Sequence, residues 1–286
     1  MGTYVWCVAK GTKAAIGDRA PPSAFSWRGM IQEAEQITHA WKESPVARIQ
    51  PAEVLLVTDF DGTLAEIVQD PAGARATPEA LAAIHELVPL LADVVVLSSR
   101  PPAQLESLIP LSGVRLIGDS GLAPPRHALK EALDRFNADA SKMLERIPGA
   151  WLEVKPASTA IHFRNTDMTG DQMLALLQPL LDGARLAGAL GRKVIEVHAP
   201  KAGKGTALAA LIPSEDPGAV ICFGDDENDR SMFEYICSLD IPHTCVGVWS
   251  PEAPPGLFDK CDMVVPGPSG AAAVLEEIVE WARESS

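Results

Sequence analysis

The hydrophobic positions of the chain follow a regular rhythm over most of its length. Short apolar runs at Val54–Thr58, Val94–Leu97 and Val114–Ile117 alternate with longer periodic segments at Pro78–Leu91 and Pro101–Leu108. Short runs rich in β-branched residues are typical of buried strands, and apolar residues three or four positions apart are typical of helices. Strands that alternate with helices predict a parallel sheet covered by helices on its faces.

The rhythm changes between residues 122 and 197. Two runs of alternating polar and apolar residues predict an antiparallel hairpin, with helices on either side and a last strand. In chain order these segments are the helix Arg126–Ile147, the strands Trp151–Lys155 and Thr159–Arg164, a helix over 169–187 and the strand Lys193–Val197. Antiparallel strands accompanied by helices predict a separate small α+β unit.

The first rhythm returns after this unit and continues to the last predicted helix, Ser269–Arg283. The predicted fold class is therefore α/β, a doubly wound, Rossmann-like parallel sheet with an inserted small α+β cap. The core comprises residues 46–121 and 198–286, and the cap comprises residues 122–197. Residues 1–45 are predicted to be an extension that is weakly structured up to residue 25 and contains a peripheral helix over 27–44.

Composition narrows the classes of partner. The formal net charge is −14, which argues against binding to nucleic acid or to an anionic membrane surface. No apolar stretch approaches the roughly 20 residues of a membrane span. The five cysteines are odd in number and include no Cys-x-x-Cys pair, which predicts reduced thiols and a cytoplasmic protein.

Two carboxylates, Asp59 and Asp61, follow directly after the first predicted strand. Residues two apart in a strand point to the same side, so both carboxylates can face one small space, and Gly62 allows a sharp turn beside them. This arrangement suits a divalent hard cation, or a covalent mechanism in which one carboxylate attacks and the other transfers protons. The alternative is an ordinary β-turn that uses Asp and Gly in their usual roles.

Polar residues also follow two other predicted strand ends. Ser98 and Arg100 come after the second strand and could bind a phosphate, although Ser before Pro is also a common helix cap. A cluster of acidic residues follows the strand Ala219–Phe223 and would be costly without a cation, the alternative being a solvated helix start. Its aspartates are Asp225, Asp226 and Asp229.

A lysine between two glycines begins a further predicted helix. Lys204 could anchor a phosphate there, with Lys201 as a rival, although an exposed lysine is more often simply solvated. The site is thus expected beyond the carboxyl ends of the strands, where open parallel sheets bind their ligands.

These elements, at 57–64, 98–101, 203–206 and 222–229, resemble the signature of the haloacid dehalogenase superfamily in order and character. Within it the chain looks most like the trehalose-phosphate phosphatases, because two further stretches, 153–164 and 194–205, are similar to that family's patterns. The chain departs from the family at Ser99, Asp119, Ser120, His198 and Asn228. These departures bear on which sugar is bound more than on the catalytic chemistry.

The resemblance implies a magnesium-dependent phosphatase that hydrolyses trehalose 6-phosphate. Asp59 would attack phosphorus, and Asp61 would protonate the leaving sugar and then activate water. The remaining roles are Mg²⁺ binding by Asp59, the Asp61 carbonyl and Asp225 with support from Asp226 and Asp229, phosphate binding by Gly62, Ser98, Arg100 and Lys204, and sugar binding by Glu153, Lys155 and Glu196.

Several alternatives remain open at the level of sequence. The substrate could be another phosphorylated sugar, such as a glycosyl-3-phosphoglycerate, glucosylglycerol phosphate or sucrose phosphate. The chain could instead be a sugar phosphomutase or a non-catalytic partner of a sugar-phosphate synthase, and a phosphatase could also act alongside such a synthase. Glu153 and Lys155 could be no more than a pair on an exposed strand.

Overall fold

The computed structural model describes residues 6–7, 36–68, 70–122, 127–200 and 203–285. The strands of this part of the chain are β1 (Trp6–Cys7), β2 (Val54–Thr58), β3 (Asp93–Leu97), β4 (Arg115–Ile117), β5 (Trp151–Val154), β6 (Thr159–His162), β7 (Ala187–Gly191), β8 (Val194–His198), β9 (Ala219–Gly224), β10 (His243–Trp249) and β11 (Met263–Pro266). They form a seven-stranded sheet in the order β1-β11-β10-β9-β2-β3-β4 and a four-stranded sheet in the order β5-β6-β8-β7.

The larger sheet is parallel except for β1, and helices cover both faces. The helices of this part of the fold are α1 (Pro78–Leu87), α2 (Pro102–Leu108), α5 (Lys204–Glu215), α6 (Arg230–Ile236) and α7 (Gly267–Ser285). Alternate residues of β2 point to opposite faces: Leu56 packs in the cluster that includes α1 and α7, whereas Leu55 packs in the cluster that includes α5 and α6. The predicted doubly wound core is confirmed.

The smaller, antiparallel sheet has one apolar and one polar face. Its helices, α3 (His127–Leu144) and α4 (Gly170–Ala184), pack on the apolar face against residues such as Ile161 and Ile195. Their neighbours along the strands, such as His162 and Glu196, point to the opposite side and face a cavity beneath the sheet. The fold therefore places a polar surface of the cap over the carboxyl ends of the core strands. The cap limits at 122 and 197 stay a prediction.

Most predicted elements begin and end within about one helical turn of their observed bounds. The expectation of a helix over 169–187 was wrong at its end, because Arg185 adopts a left-handed conformation with φ 55° and β7 begins soon afterwards. β7 was not predicted, since its Ala- and Gly-rich sequence has little β propensity. Of the predicted helix over 27–44, residues 36–43 are helical and 27–35 lie outside the described residues.

The expectation that residues 1–25 are weakly structured was wrong for Trp6–Cys7, which pairs antiparallel with β11. The rest of that segment lies outside the described residues. Among the residues the structure describes, no helix is both long and apolar enough to cross a bilayer. Cys222, Cys237, Cys245 and Cys261 are free thiols.

Leu56 lies in β2, between β3 and β9, and is fully buried. Leu56→Ala should lower the free energy of unfolding by about 2–5 kcal/mol, because it leaves a cavity in the central strand. Denaturant titration measures this change. As a control, Leu176→Ala removes a side chain that is 41% exposed and should change stability by less than about 0.5 kcal/mol. Equal effects at the two positions would contradict the assigned core.

Candidate active site

Carboxylates from two neighbouring strands meet at the edge of the core sheet. β2 and β9 pair in parallel as far as Thr58 and Phe223, and the Asp59 amide donates to the Phe223 carbonyl at 3.0 Å. Carboxylate oxygens of Asp59, Asp225 and Asp229 lie within 4.8 Å of one another, and all three residues are buried. The structure thus brings Asp59 beside Asp225 and Asp229, two predicted site residues that lie far from it in the sequence.

Lys204 is the cation at the centre of this cluster. It is the first residue of α5, is fully buried, and places Nζ 2.6 Å from Asp59 Oδ1 and 2.6 Å from Asp229 Oδ1. Burial alone would lower the pKa of the lysine, but the two carboxylates outweigh burial and raise it. Lys204 is therefore a permanent positive charge beside Asp59. Its rival, Lys201, lies outside the described residues.

The carboxylates nevertheless outnumber this lysine. Burial, opposed by Lys204 and assisted by Asp229 and Asp61, raises the pKa of Asp59 to about 7. Burial and the nearby Asp59 raise the pKa of Asp225 well above its usual value. A further cation would stabilise the ionised form of these groups. A set of carboxylate oxygens is the donor set that Mg²⁺ prefers, so the residues present fit such an ion.

Gly62 and Asp229 shape the loop around these carboxylates. Gly62 has φ 81°, and a Cβ atom there would lie 2.1 Å from Asp225 Oδ2, so a side chain at this position would displace Asp225. Asp229 Oδ2 accepts hydrogen bonds from the backbone amides of Asp225 at 2.9 Å and Asp226 at 3.1 Å. Asp229 thus holds the acidic loop in place while it also contacts Lys204.

Asp61 and Arg100 form a bidentate pair on the wall of the cavity. Arg100 Nε donates to Asp61 Oδ2 at 2.6 Å and Nη2 donates to Oδ1 at 2.7 Å. The guanidinium also lies 5.4 Å from the centre of the Phe60 ring. Ser98 is buried and its hydroxyl accepts a hydrogen bond from the Arg100 amide at 3.2 Å. The phosphate-binding roles assigned to Ser98 and Arg100 remain predictions.

The cap supplies an arginine that the sequence analysis missed. Arg192 Nη2 lies 2.6 Å from Asp225 Oδ2, and its backbone amide donates to Asp226 Oδ2 at 2.8 Å. Arg192 occupies the turn between β7 and β8, so it could not be recognised without β7. The tip of this hairpin therefore contacts the acidic loop of the core directly.

The cap residues predicted to bind sugar fall into two polar groups, one around Lys155 and Glu196 and one around Glu153. Lys155 Nζ lies 3.1 Å from Glu196 Oε2 and donates to the Ser99 carbonyl of the core at 3.0 Å. Ser158 Oγ donates to Glu196 Oε1 at 2.6 Å. Glu153 takes a different partner, because its Oε2 lies 2.9 Å from His162 Nε2, and this contact lowers the pKa of Glu153. His162 is a further site residue to which the sequence analysis gave no role.

A cavity of about 390 Å³ lies between the carboxylates of the core and the polar face of the cap. Asp59, Asp61 and Arg100 line its core side, and Lys155 and Glu196 are among the cap residues that line the other side. This volume is within the range of sites that bind small organic molecules. One ligand can therefore touch the carboxylates of the core and the polar face of the cap together.

The sequence model of the trehalose-phosphatase family matches residues 57–248, which include this whole arrangement. The chain belongs to the trehalose-phosphatase family. Among similar curated proteins is an uncharacterized glycosyl hydrolase of Mycobacterium tuberculosis, 31% identical over 252 residues that cover 80% of this chain and 19% of that protein. Another is the probable trehalose-phosphate phosphatase C of Arabidopsis thaliana, 27% identical over 82% of this chain and 79% of that protein.

Solved structures support the fold of a trehalose phosphatase. The C-terminal domain of the Candida albicans trehalose-6-phosphate phosphatase is similar with a TM-score of 0.65 and 21% identity, covering 87% of this chain and 96% of that one. The chain spans about a fifth of the length of the Mycobacterium tuberculosis relative. Family membership and fold are thereby established, and the activity of this trehalose-phosphatase chain follows as a proposal.

Removal and return of Mg²⁺ tests whether the acidic cluster binds a cation. After treatment with EDTA, added Mg²⁺ should raise the free energy of unfolding, by about 2.7 kcal/mol at a hundred times its Kd. Asp225→Asn should abolish most of this gain because it removes a buried carboxylate of the cluster. Thermal denaturation measures the change.

The matched control for this experiment is Asp240→Asn, which alters an exposed aspartate. This variant should gain as much stability from Mg²⁺ as the wild type. Equal gains in wild type and Asp225→Asn would contradict cation binding at the cluster.

Proposed function

We propose that the protein is a phosphatase that hydrolyses trehalose 6-phosphate to trehalose and phosphate. The observation that carries the proposal is a buried aspartate, Asp59, held by Lys204 on a cavity that the polar face of the cap also lines. Membership of the trehalose-phosphatase family supports both the reaction and the sugar. A small-molecule sugar phosphate fits the volume of the cavity.

Asp59 is the proposed nucleophile. Lys204 contacts its Oδ1, so Oδ2 is the oxygen that attacks phosphorus as the bond to the sugar oxygen breaks. The product of this step is an aspartyl-phosphate together with the free sugar. The Lys204 ammonium stabilises negative charge on the phosphoryl group in the transition state, and it needs no reorganisation because its two carboxylate contacts fix its position.

Asp61 is the proposed general acid and base. It gives a proton to the departing sugar oxygen and later takes one from the water that attacks the aspartyl-phosphate, with release of phosphate. Arg100 occupies both carboxylate oxygens of Asp61, so Asp61 can reach the sugar oxygen and the water only when Arg100 turns to another anion. The phosphoryl group of the substrate is that anion, which gives Arg100 its predicted phosphate-binding role.

Mg²⁺ would be held by Asp59, the backbone carbonyl of Asp61 and Asp225, and it would supply charge stabilisation for the phosphoryl oxygens. Asp226 and Asp229 support this arrangement through the loop they hold. Gly62 and Ser98 are proposed to orient the phosphate beside these residues. A bifunctional trehalose-6-phosphate synthase/phosphatase of Thermoproteus tenax, 31% identical over 74% of this chain and 32% of that protein, supports the proposal that the phosphatase acts alongside a synthase.

A phosphate-release assay over trehalose 6-phosphate, sucrose 6-phosphate, a glycosyl-3-phosphoglycerate, glucosylglycerol phosphate and glucose 6-phosphate tests the substrate. The highest kcat/KM is expected for trehalose 6-phosphate, with activity lost in EDTA and restored by Mg²⁺. No release from trehalose 6-phosphate under conditions where another ester is hydrolysed would overturn the proposed sugar. Turnover that requires a bisphosphorylated sugar would indicate a phosphomutase.

Asp59→Asn should lower kcat by at least about 10³-fold, because the amide is a poor nucleophile and no aspartyl-phosphate can form. Rapid quenching of wild type with labelled substrate should trap a protein-bound phosphate that hydroxylamine releases. Asp59→Asn should show no such label while it unfolds at a denaturant concentration similar to the wild type. A variant with activity within tenfold of wild type would rule out covalent catalysis by Asp59.

Glu153→Gln tests sugar recognition by the cap. The ratio of kcat/KM for trehalose 6-phosphate to that for p-nitrophenyl phosphate should fall about tenfold or more, because a hydrogen bond to a charged group contributes about 1.5–3 kcal/mol. Glu196→Gln should lower the same ratio, but it also leaves the buried Lys155 without its carboxylate partner. Glu153→Gln is therefore the cleaner variant.

The matched control for the cap is Glu145→Gln, at an exposed position of the cap just beyond α3. It should leave the ratio of the two substrates as in the wild type. Equal losses on both substrates in Glu153→Gln would mean that Glu153 supports the fold, and the sugar-binding role of the cap would lose its main support.

A further inference from the structure

Trp151 is a large apolar side chain on the wall of the active-site cavity that the proposed reaction does not use. It begins β5 and is 47% exposed, although most large apolar side chains of the described residues are buried. An indole with one surface fixed and another open to a polar cavity suits a ligand that has both apolar and hydroxyl-bearing surfaces.

Neighbouring residues hold the indole in one orientation. Trp151 pairs with His162 across β5 and β6, and the two rings stack with centroids 3.9 Å apart and planes 13° from parallel. His162 is fixed in turn by its contact of 2.9 Å with Glu153. The stack is thus built into the sheet register, and the indole presents a rigid surface to the cavity.

The position of Trp151 along β5 separates it from the reacting groups. Lys155, just beyond the other end of the strand, contacts the core at the Ser99 carbonyl, next to Arg100 and so close to Asp61. Trp151 lies four residues earlier, which corresponds to about 13 Å along an extended strand. A sugar that carries the reacting phosphate beside Asp59 therefore needs a second ring to reach the indole.

We propose that Trp151, backed by His162, forms the subsite for the sugar ring remote from the phosphate. The C–H groups on one face of a pyranose ring are apolar and slightly positive, so this face stacks on the electron-rich face of the indole. Glu153, on the same face of β5, accepts hydrogen bonds from hydroxyl groups at the ring edge. The inference rests on the proposed function and deepens it, because it makes Trp151 the residue that selects disaccharide over monosaccharide phosphates.

The first test is the ratio of kcat/KM for trehalose 6-phosphate to that for glucose 6-phosphate. Trp151→Ala should lower this ratio about tenfold, which corresponds to 1.4 kcal/mol. Trp151→Phe keeps an aromatic face and should retain most of the selectivity, and it also serves if Trp151→Ala fails to fold. The control is Trp249→Ala, which removes an equally exposed indole, 46%, that lies at the end of β10 and outside this cavity.

The second test needs no turnover. Trehalose alone should quench the intrinsic fluorescence of the wild type and of Trp249→Phe, and glucose at the same concentration should quench it less. In Trp151→Phe most of the quenching should disappear, because the reporting indole is gone. Quenching that Trp151→Phe leaves intact, or a substrate ratio that Trp151→Ala changes by less than twofold, would overturn the subsite.

The two tests separate the subsite from the reaction. Failure to hydrolyse trehalose 6-phosphate, with trehalose still quenching Trp151, would overturn the proposed substrate and support the subsite. The opposite result is also possible to recognise: the protein hydrolyses trehalose 6-phosphate, but neither the substrate ratio nor the fluorescence quenching depends on Trp151. That result would overturn the subsite and leave the proposed phosphatase in place.

Discussion

The contact on which the rest of the site depends is that of the buried Lys204 ammonium with Asp59 and Asp229. Lys204 has no exposed surface, and both of its carboxylate contacts are 2.6 Å long. An isolated charge would be too costly at this depth, so the lysine and the carboxylates require one another. Since Asp59 follows β2, Lys204 begins α5 and Asp229 follows β9, this one interaction fixes two strand ends and a helix start in a single arrangement.

The same interaction explains why the cluster still attracts positive charge. One lysine serves Asp59 and Asp229, and Asp225 stands beside them with its pKa raised well above its usual value by burial and by Asp59. The core therefore holds more negative charge than it can neutralise itself. Arg192 of the cap contacts Asp225, and a divalent cation would satisfy the same requirement. Through the charge of Asp225, the acidic loop thus connects Arg192 of the cap to the carboxylates of the proposed reaction.

The residues that could be predicted from sequence are those whose geometry depends on one strand end and the turn after it. Asp59, Asp61, Asp225 and Asp229 follow strands with clear β-branched patterns, and Lys204 begins a helix after a glycine, so each was placed correctly in the fold. Arg192 and the Trp151–His162 stack were not predicted. Both depend on which strand lies beside which in the cap sheet, and strand pairing is set by tertiary packing rather than by local pattern.

The cap also bears on an apparent conflict between the net charge of the chain and its proposed function. A chain with a net charge of −14 should repel an anionic substrate, yet the cavity wall carries several basic side chains. Arg100 belongs to the core, whereas Lys155, Arg164 and Arg192 belong to the cap, and each of these three contacts the core, at the Ser99 carbonyl, the Val68 carbonyl and Asp225. The basic side chains that the cap contributes to the cavity wall are therefore in place only while the cap is seated on the core. A ligand that is both anionic and long enough to touch the polar face of the cap suits this arrangement, because it can contact the basic groups and that polar face together.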